Sequence, residues 1–328
     1  MSMTELSTEK NPLGISSLPV HVLSELILGW FERTSPTLRD EVLDEIKHRG
    51  LDGGIGYRIA EEAITSASSL DNERKIWLHE NFLETLWCVG YTLLAIYEKV
   101  VLPEFQGTEE SALDVGRGNT KLKDAYRVLD AGLSLVESFN PSRFIGIPQP
   151  KTPNHESDQL VEKANNVFVS GGAYLLMHEV GNQFFDHPSP EAKDRPLPVK
   201  VIKADEYALH WVKRGMAENK DKDIVNAIGV MAAMTTFMFL DSTLDPEAKL
   251  ERPDLRYRKA LYELDIQGEP LWILASLSGV LYAGEKKIAI THLESDKIES
   301  YRDVFANIMD QLCGHFTQER AKRQVKPT

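Results

Sequence analysis

Residues 173–185 read Ala-Tyr-Leu-Leu-Met-His-Glu-Val-Gly-Asn-Gln-Phe-Phe, and this stretch decides how the rest of the chain is interpreted. Its apolar side chains cover most of the circumference of a helix, which predicts a helix buried in a core: Tyr174, Leu175, Met177, Val180, Phe184 and Phe185. In the middle stand His178 and Glu179, two polar residues whose burial costs free energy unless they find partners.

His178 and Glu179 begin the pattern H-E-x-x-H, in which two histidines one helical turn apart bind zinc and the glutamate activates water. The fifth position is Asn182, and a neutral amide is a poor zinc ligand beside imidazole. Without a metal, the same residues would form a hydrogen-bonded polar group in a core helix, since Asn182 can both donate and accept.

Composition excludes several classes of function. The 328 residues carry a net charge of −13, which argues against nucleic acid and anionic membrane surfaces as partners. The longest apolar run, Ile224 to Leu240, is shorter than the ~20 residues of a spanning helix. Cys88 and Cys313 lack metal-ligand spacing and are interpreted as free thiols in a reducing cytosol. Met1 to Pro12 shows no secretory signal, so we expect a cytoplasmic protein.

Helical periodicity dominates the chain, and no convincing strand alternation is found. The glycine-rich run Gly50 to Gly56 is interpreted as a helix–helix connection, and only Leu197 to Ile202 and Lys287 to Thr291 could be short strands. Helices are predicted at 18–31, 37–47, 57–67, 72–99, 121–138, 158–185, 201–214, 222–240, 255–262, 272–282 and 297–316. These give a flexible tail at 1–17, an N-terminal helical region at 18–140, a second helical domain at 141–318 and a flexible tail at 319–328.

Four segments together carry a family resemblance. They are the loop Ile145-Gly-Ile-Pro-Gln-Pro150, the motif His178-Glu-Val-Gly-Asn182, the segment Val201-Ile-Lys-Ala-Asp-Glu-Tyr-Ala-Leu-His-Trp211, and Thr291-His-Leu293 with Arg302 downstream. Over roughly residues 145–305 the chain resembles the Lit-type phage-exclusion metallopeptidases and related zinc peptidases. The resemblance implies a mainly α fold: a multi-helix, gluzincin-like core with at most a few short strands.

The resemblance also implies residue roles. His178 would be the first zinc ligand and Glu179 the catalytic base, while the second and third ligand positions fall on Asn182 and Val201. Asp205 would support the first ligand from behind.

His292 would likewise stand behind the ligands. Glu206 and His210, one helical turn apart, are possible substitutes for the lost ligands, and His187 also follows the motif closely. One retained ligand of three cannot hold zinc at ordinary affinity. We therefore expect no cofactor, with zinc bound only if the protein is active.

Three functions remain open from the sequence. The first is a degenerate metallopeptidase-fold protein without zinc-dependent hydrolysis, which binds a protein partner or a substrate-like protein in a phage-defence or regulatory setting. The second is an active metallopeptidase with non-standard ligands that cleaves a cytosolic protein. The third is a helical scaffold or oligomerisation protein. The sequence points to no particular oligomeric state.

Overall fold

Helices make up most of the protein, whose structure is a computed structural model. It describes residues 18–325 except 49, 52–53, 61–65, 108–113, 138–140, 151–158, 187–196, 219–222, 242–251 and 292–298. The helices are α1 His21–Thr34, α2 Pro36–His48, α3 Glu80–Ile96, α4 Leu102–Phe105, α5 Lys123–Glu137, α6 Gln159–Asp186, α7 Leu197–Glu218, α8 Asp223–Asp241, α9 Pro253–Leu264, α10 Glu269–Glu285 and α11 Tyr301–Val325. A π-helical turn at Tyr97–Val101 joins α3 to α4. The mainly helical fold class is thereby confirmed.

A small sheet interrupts the N-terminal helices. Its strands are β1 Ile55–Arg58, β2 Ser68–Leu70 and β3 Ile76–His79, in the order β1-β3-β2, with β1 parallel and β2 antiparallel to β3. The predictions of a helix–helix connection up to Gly56 and of a helix from 57 were therefore wrong. The predicted helix at 72–99 begins only at Glu80, as α3, because β3 occupies its first residues. Strands of three or four residues are too short to show alternation. Gly56 is required, since a Cβ there would lie 2.6 Å from the Trp77 ring.

Two further expectations need correction. The possible strand Leu197 to Ile202 is the first part of α7, and Lys287 to Thr291 forms neither strand nor helix. At the other end, α11 continues to Val325, beyond the predicted helix end at 316, which agrees with the strong helix formers in this stretch. Residues 1–17 and 326–328 lie outside the described residues.

Three helices, α3, α6 and α8, form the centre of the core. Every residue of α3 is buried. The helices α6 and α8 approach closely at Gly171 and Gly229, because a Cβ on Gly229 would lie 2.7 Å from the Gly171 nitrogen. A second close approach joins α6 to α7, where a Cβ on Gly181 would lie 3.1 Å from the Cα of Ala204. This crossing brings Asp205, the next residue of α7, against the middle of α6.

By length and composition alone, two helical stretches, Glu80–Glu104 and Asp223–Leu240, could cross a membrane, so the length of the second does not by itself exclude a spanning helix, contrary to the expectation from the sequence. Their most apolar windows are 78% and 83% buried inside the protein, respectively. Such burial is what the core helices of a soluble protein show.

Candidate functional site

His178 and Glu179 lie in the middle of α6 and are almost completely enclosed, with 3% and 7% of their surfaces exposed. The imidazole of His178 stacks on Tyr174, one turn earlier in α6, and its centroid lies 5.6 Å from that of Phe237 in α8. Burial of both polar residues requires specific partners, and these come from α6 itself and from α7.

Asp205 of α7 is the centre of the polar cluster. Its Oδ1 lies 2.9 Å from Nδ1 of His178 and accepts a hydrogen bond of 2.6 Å from the hydroxyl of Tyr174. Arg256 of α9 binds both of its oxygens, with Nε 2.7 Å from Oδ2 and Nη2 2.9 Å from Oδ1. Burial raises the pKa of Asp205, but the charge and hydrogen bonds of Arg256, together with the contact to His178, outweigh it and hold the pKa well below its ordinary value. Asp205 is therefore a fixed anion.

Arg256 belongs to this cluster, and it was not singled out from the sequence. It is only 9% exposed, and its guanidinium carbon lies 4.6 Å above the ring of Phe237. No motif or spacing in the sequence indicates it, and its place in the core is evident only from the packing of α9. Arg256 falls on the buried stripe of α9 beside Tyr257 and Ala260, and a cation on such a stripe indicates a buried anion opposite.

A small, shallow cleft between α7 and α9 is lined in part by Asp205 and Arg256. Its walls include Ile202 and Leu209 of α7 and Leu255 of α9. Asp205 thus contacts His178 and also contributes to the wall of this cleft.

Asn182 interacts with the expected catalytic base. Its amide nitrogen donates a hydrogen bond of 3.3 Å to Oε2 of Glu179, whose Oε1 lies 3.9 Å from Nε2 of His178. Glu179 also acts electrostatically on His79 at the end of β3, a histidine whose pKa is lowered chiefly by burial. The ring nitrogens of His79 are bonded to Ser66 and Ser69, so His79 joins β3 to β2 and the bend before it.

The proposed substitute ligands do not join this cluster. Glu206 forms ion pairs with Lys203 and with Lys259, where the N–O distance to Lys259 is 2.7 Å. His210 is exposed and packs against the edge of Trp211. Val201 is buried at the third ligand position and offers no donor atom. The structure therefore separates Glu206 and His210 from His178, while His187 and His292 lie outside the described residues.

The donor set does not fit a zinc ion. Within the described ranges, no group of three or more His, Cys, Asp and Glu residues is arranged to hold a metal. Asp205 is engaged by Arg256, and the carboxylate of Glu179 by Asn182. A catalytic zinc site takes three protein ligands, and these residues supply one imidazole, His178.

A comparison with protein families shows which family the chain resembles. The model of the family described as Peptidase U49 matches residues 76–260, more than half of the 328 residues. The matched range begins at β3 and ends in α9, so it includes His178, Asp205 and Arg256. Thr291-His-Leu293 and Arg302 fall beyond it. No curated protein and no solved structure matches the chain.

Proposed function

The chain belongs to the Peptidase U49 family, and we propose that it is a peptidase-fold protein that has lost zinc-dependent hydrolysis and acts by binding another protein. The partner would be a protein held as a substrate would be, but not cleaved. We also propose that the protein acts in the cytoplasm, in phage defence or in regulation.

One observation carries the proposal: the residues at the ligand positions are used in other ways. Asn182 holds Glu179 by a hydrogen bond, and Val201 is a buried apolar side chain. Zinc peptidases need donor atoms at both positions to fix the ion in an open tetrahedral site. The peptidase framework is thus present, while the donors that would make it a metal centre are absent from these two positions.

Electrostatics support the same conclusion. A zinc ion would offset the negative charge of a buried carboxylate pair such as Glu179 and Asp205. Here Arg256 supplies a permanent positive charge and binds Asp205 through two hydrogen bonds. Burial lowers the pKa of Arg256, but Asp205 and, more weakly, Glu179 raise it. The carboxylate of Asp205 is thus paired with a side-chain cation and does not depend on a metal ion for its charge.

Metal analysis of the purified protein tests the proposal directly. We expect substoichiometric zinc in protein purified without chelators and no saturable binding when zinc is titrated by calorimetry. The double variant N182H/V201E, which restores an imidazole and a carboxylate, is the matched comparison and should bind zinc if the framework is inherited. Stoichiometric, tightly bound zinc in the wild type would overturn the proposal.

A second candidate function, an active metallopeptidase, is favoured by one contact. The Nδ1 atom of His178 lies 2.9 Å from Asp205, and this arrangement of a ligand histidine leaves its Nε2 for a metal. This candidate predicts that E179Q abolishes a measurable proteolysis of cytosolic proteins without changing the fold. If the wild type and E179Q act alike on a substrate panel, and cells expressing either restrict a phage panel equally, hydrolysis is not the function.

A further inference from the structure

Two buried carboxyl groups in the first two turns of α3 hold the segment that leads into α1. Oε2 of Glu80 accepts a hydrogen bond of 2.9 Å from the main-chain N–H of Leu18, and Oε2 of Glu84 accepts one of 2.6 Å from that of Val20. Oε1 of Glu80 lies 2.7 Å from Nδ1 of His21. We call Leu18–His21 together with Glu80 and Glu84 the N-terminal latch.

The latch supplies hydrogen-bond acceptors that α1 lacks locally. Val20 stands at the N-cap of α1 and contributes no capping side chain. A helix N-terminus carries a partial positive charge and unpaired N–H groups, which favour a nearby carboxyl group. The carboxyls come from another helix, and Leu18 and Val20 in turn cover them, each with no more than 2% of its surface exposed.

The charges of the latch change together with pH. Burial and the neighbouring charge of Glu80 raise the pKa of Glu84 to about 8, against the lowering effect of the Val20 N–H. The hydrogen bond to Glu80 raises the pKa of His21, with Glu25 of α1 adding to it and burial opposing it. Below these pKa values, a protonated His21 faces Glu80 and Glu84 is neutral. Above them, two carboxylates face each other without a cation.

Two other titratable groups border the latch. The thiol of Cys88, one turn further along α3, has its pKa raised by burial and by Glu84. The phenol of Tyr57 in β1, bonded to the carbonyl of Ser24 in α1, has its pKa raised by burial and by Glu25. Neither group adds a positive charge at high pH, so nothing in this set offsets the second carboxylate.

We propose that the N-terminal latch is a pH-sensitive device that holds α1 against α6 at neutral pH and releases it under alkaline conditions. Two buried carboxylates are relieved by hydration, and water reaches them when Leu18 and Val20 lift away. Before release, α1 packs directly on α6, since a Cβ on Gly172 of α6 would lie 2.8 Å from the side chain of Ile27 of α1. Opening would therefore uncover the helix that carries His178. This inference does not depend on whether the protein binds zinc.

Hydrogen exchange of the full-length protein, read by mass spectrometry, tests the proposal. Protection factors corrected for intrinsic exchange would be compared at about pH 6 and about pH 9 for α1, with α5 as the internal reference. On opening, the pKa of Glu84 would fall from about 8 to the ordinary glutamate value. This linkage predicts that the protection factors of α1 decrease by up to about two orders of magnitude between the lower and the higher pH. The protection of α5 should change much less.

Two variants make the result specific. E84Q keeps an acceptor for Val20 but cannot ionise, so α1 should stay protected at alkaline pH. E25Q removes an exposed carboxylate of α1 and should retain most of the wild-type pH dependence. If α1 protection in the wild type is the same at both pH values, or if E84Q loses protection as the wild type does, the proposal is wrong. The wild-type comparison decides the question by itself should E84Q fail to fold.

Discussion

Replacing Arg256 with methionine would leave the carboxylate of Asp205 buried without its cation. Their side chains are only 8% and 6% exposed, and two hydrogen bonds of 2.7 and 2.9 Å join them, so solvent screening is slight. Removing one partner of a buried pair of this kind costs about 3–5 kcal/mol. Loss of the guanidinium above Phe237 acts in the same direction. We therefore expect R256M to lower the free energy of unfolding by about 3–5 kcal/mol at neutral pH.

The assay is urea denaturation followed by circular dichroism, with the double variant D205N/R256M as the control. Removing the charge of Asp205 as well should recover much of the loss, because the neutral amide no longer needs a cation. The sign of the pH dependence is also fixed. The depressed pKa of Asp205 stabilises the wild type above the ordinary Asp range, and this contribution fades as pH falls through it. The deficit of R256M should therefore shrink on acidification.

A loss below about 1 kcal/mol for R256M, or a double variant that is less stable than R256M, would refute this reasoning. Either result would mean that the ion pair is more hydrated than its burial indicates, and that Asp205 does not depend on Arg256 for its charge.

Three further changes test other parts of the core. G229A should destabilise the protein by about 1–3 kcal/mol, because its Cβ would lie 2.7 Å from the Gly171 nitrogen. The matched control is G284A, whose Cβ would meet nothing within 4 Å. Thermal melting of both variants checks this prediction. N226A removes the oxygen that accepts hydrogen bonds of 3.2 Å from an indole and 3.0 Å from a serine hydroxyl, so a loss of about 2 kcal/mol is expected in urea denaturation, and an unchanged midpoint would contradict it. Because the pKa of Glu84 is about 8 in the folded protein, the free energy of unfolding should fall as pH rises from the ordinary glutamate pKa towards 8. This decrease is at most about 5 kcal/mol. Urea denaturation at several pH values should show it in the wild type and not in E84Q.

Helices could be predicted from the sequence because their apolar stripes extend over many turns. The predicted helix at 158–185 differs from α6 by one residue at each end, and the one at 222–240 differs from α8 likewise. The sheet could not be predicted, since β2 has three residues and β1 and β3 have four each. Such strands are fixed by pairing, here Gly56 opposite Trp77, and pairing between distant segments leaves little local signal.

In the candidate site, too, residues that are close in the sequence could be predicted, and residues that only packing brings together could not. His178, Glu179 and Asn182 could be singled out because the motif places them within two turns of one helix. The expectation that Asp205 supports His178 rested on the family resemblance and remains a prediction about function, although the two side chains do lie in contact. Arg256 comes from a helix 51 residues further along the chain, so no local spacing indicates it. The burial of an arginine is decided by tertiary packing, which a single sequence does not display.

The carboxylate of Asp205 has a consequence for how this framework can change. It joins three helices by side-chain bonds alone, through Tyr174 of α6, Arg256 of α9 and its own position on α7. A cross-link of this kind forms as the chain folds, and because it consists of side chains alone, a chelator cannot remove it. The other positions around His178 are then free to diversify, because this cross-link between the helices does not depend on them.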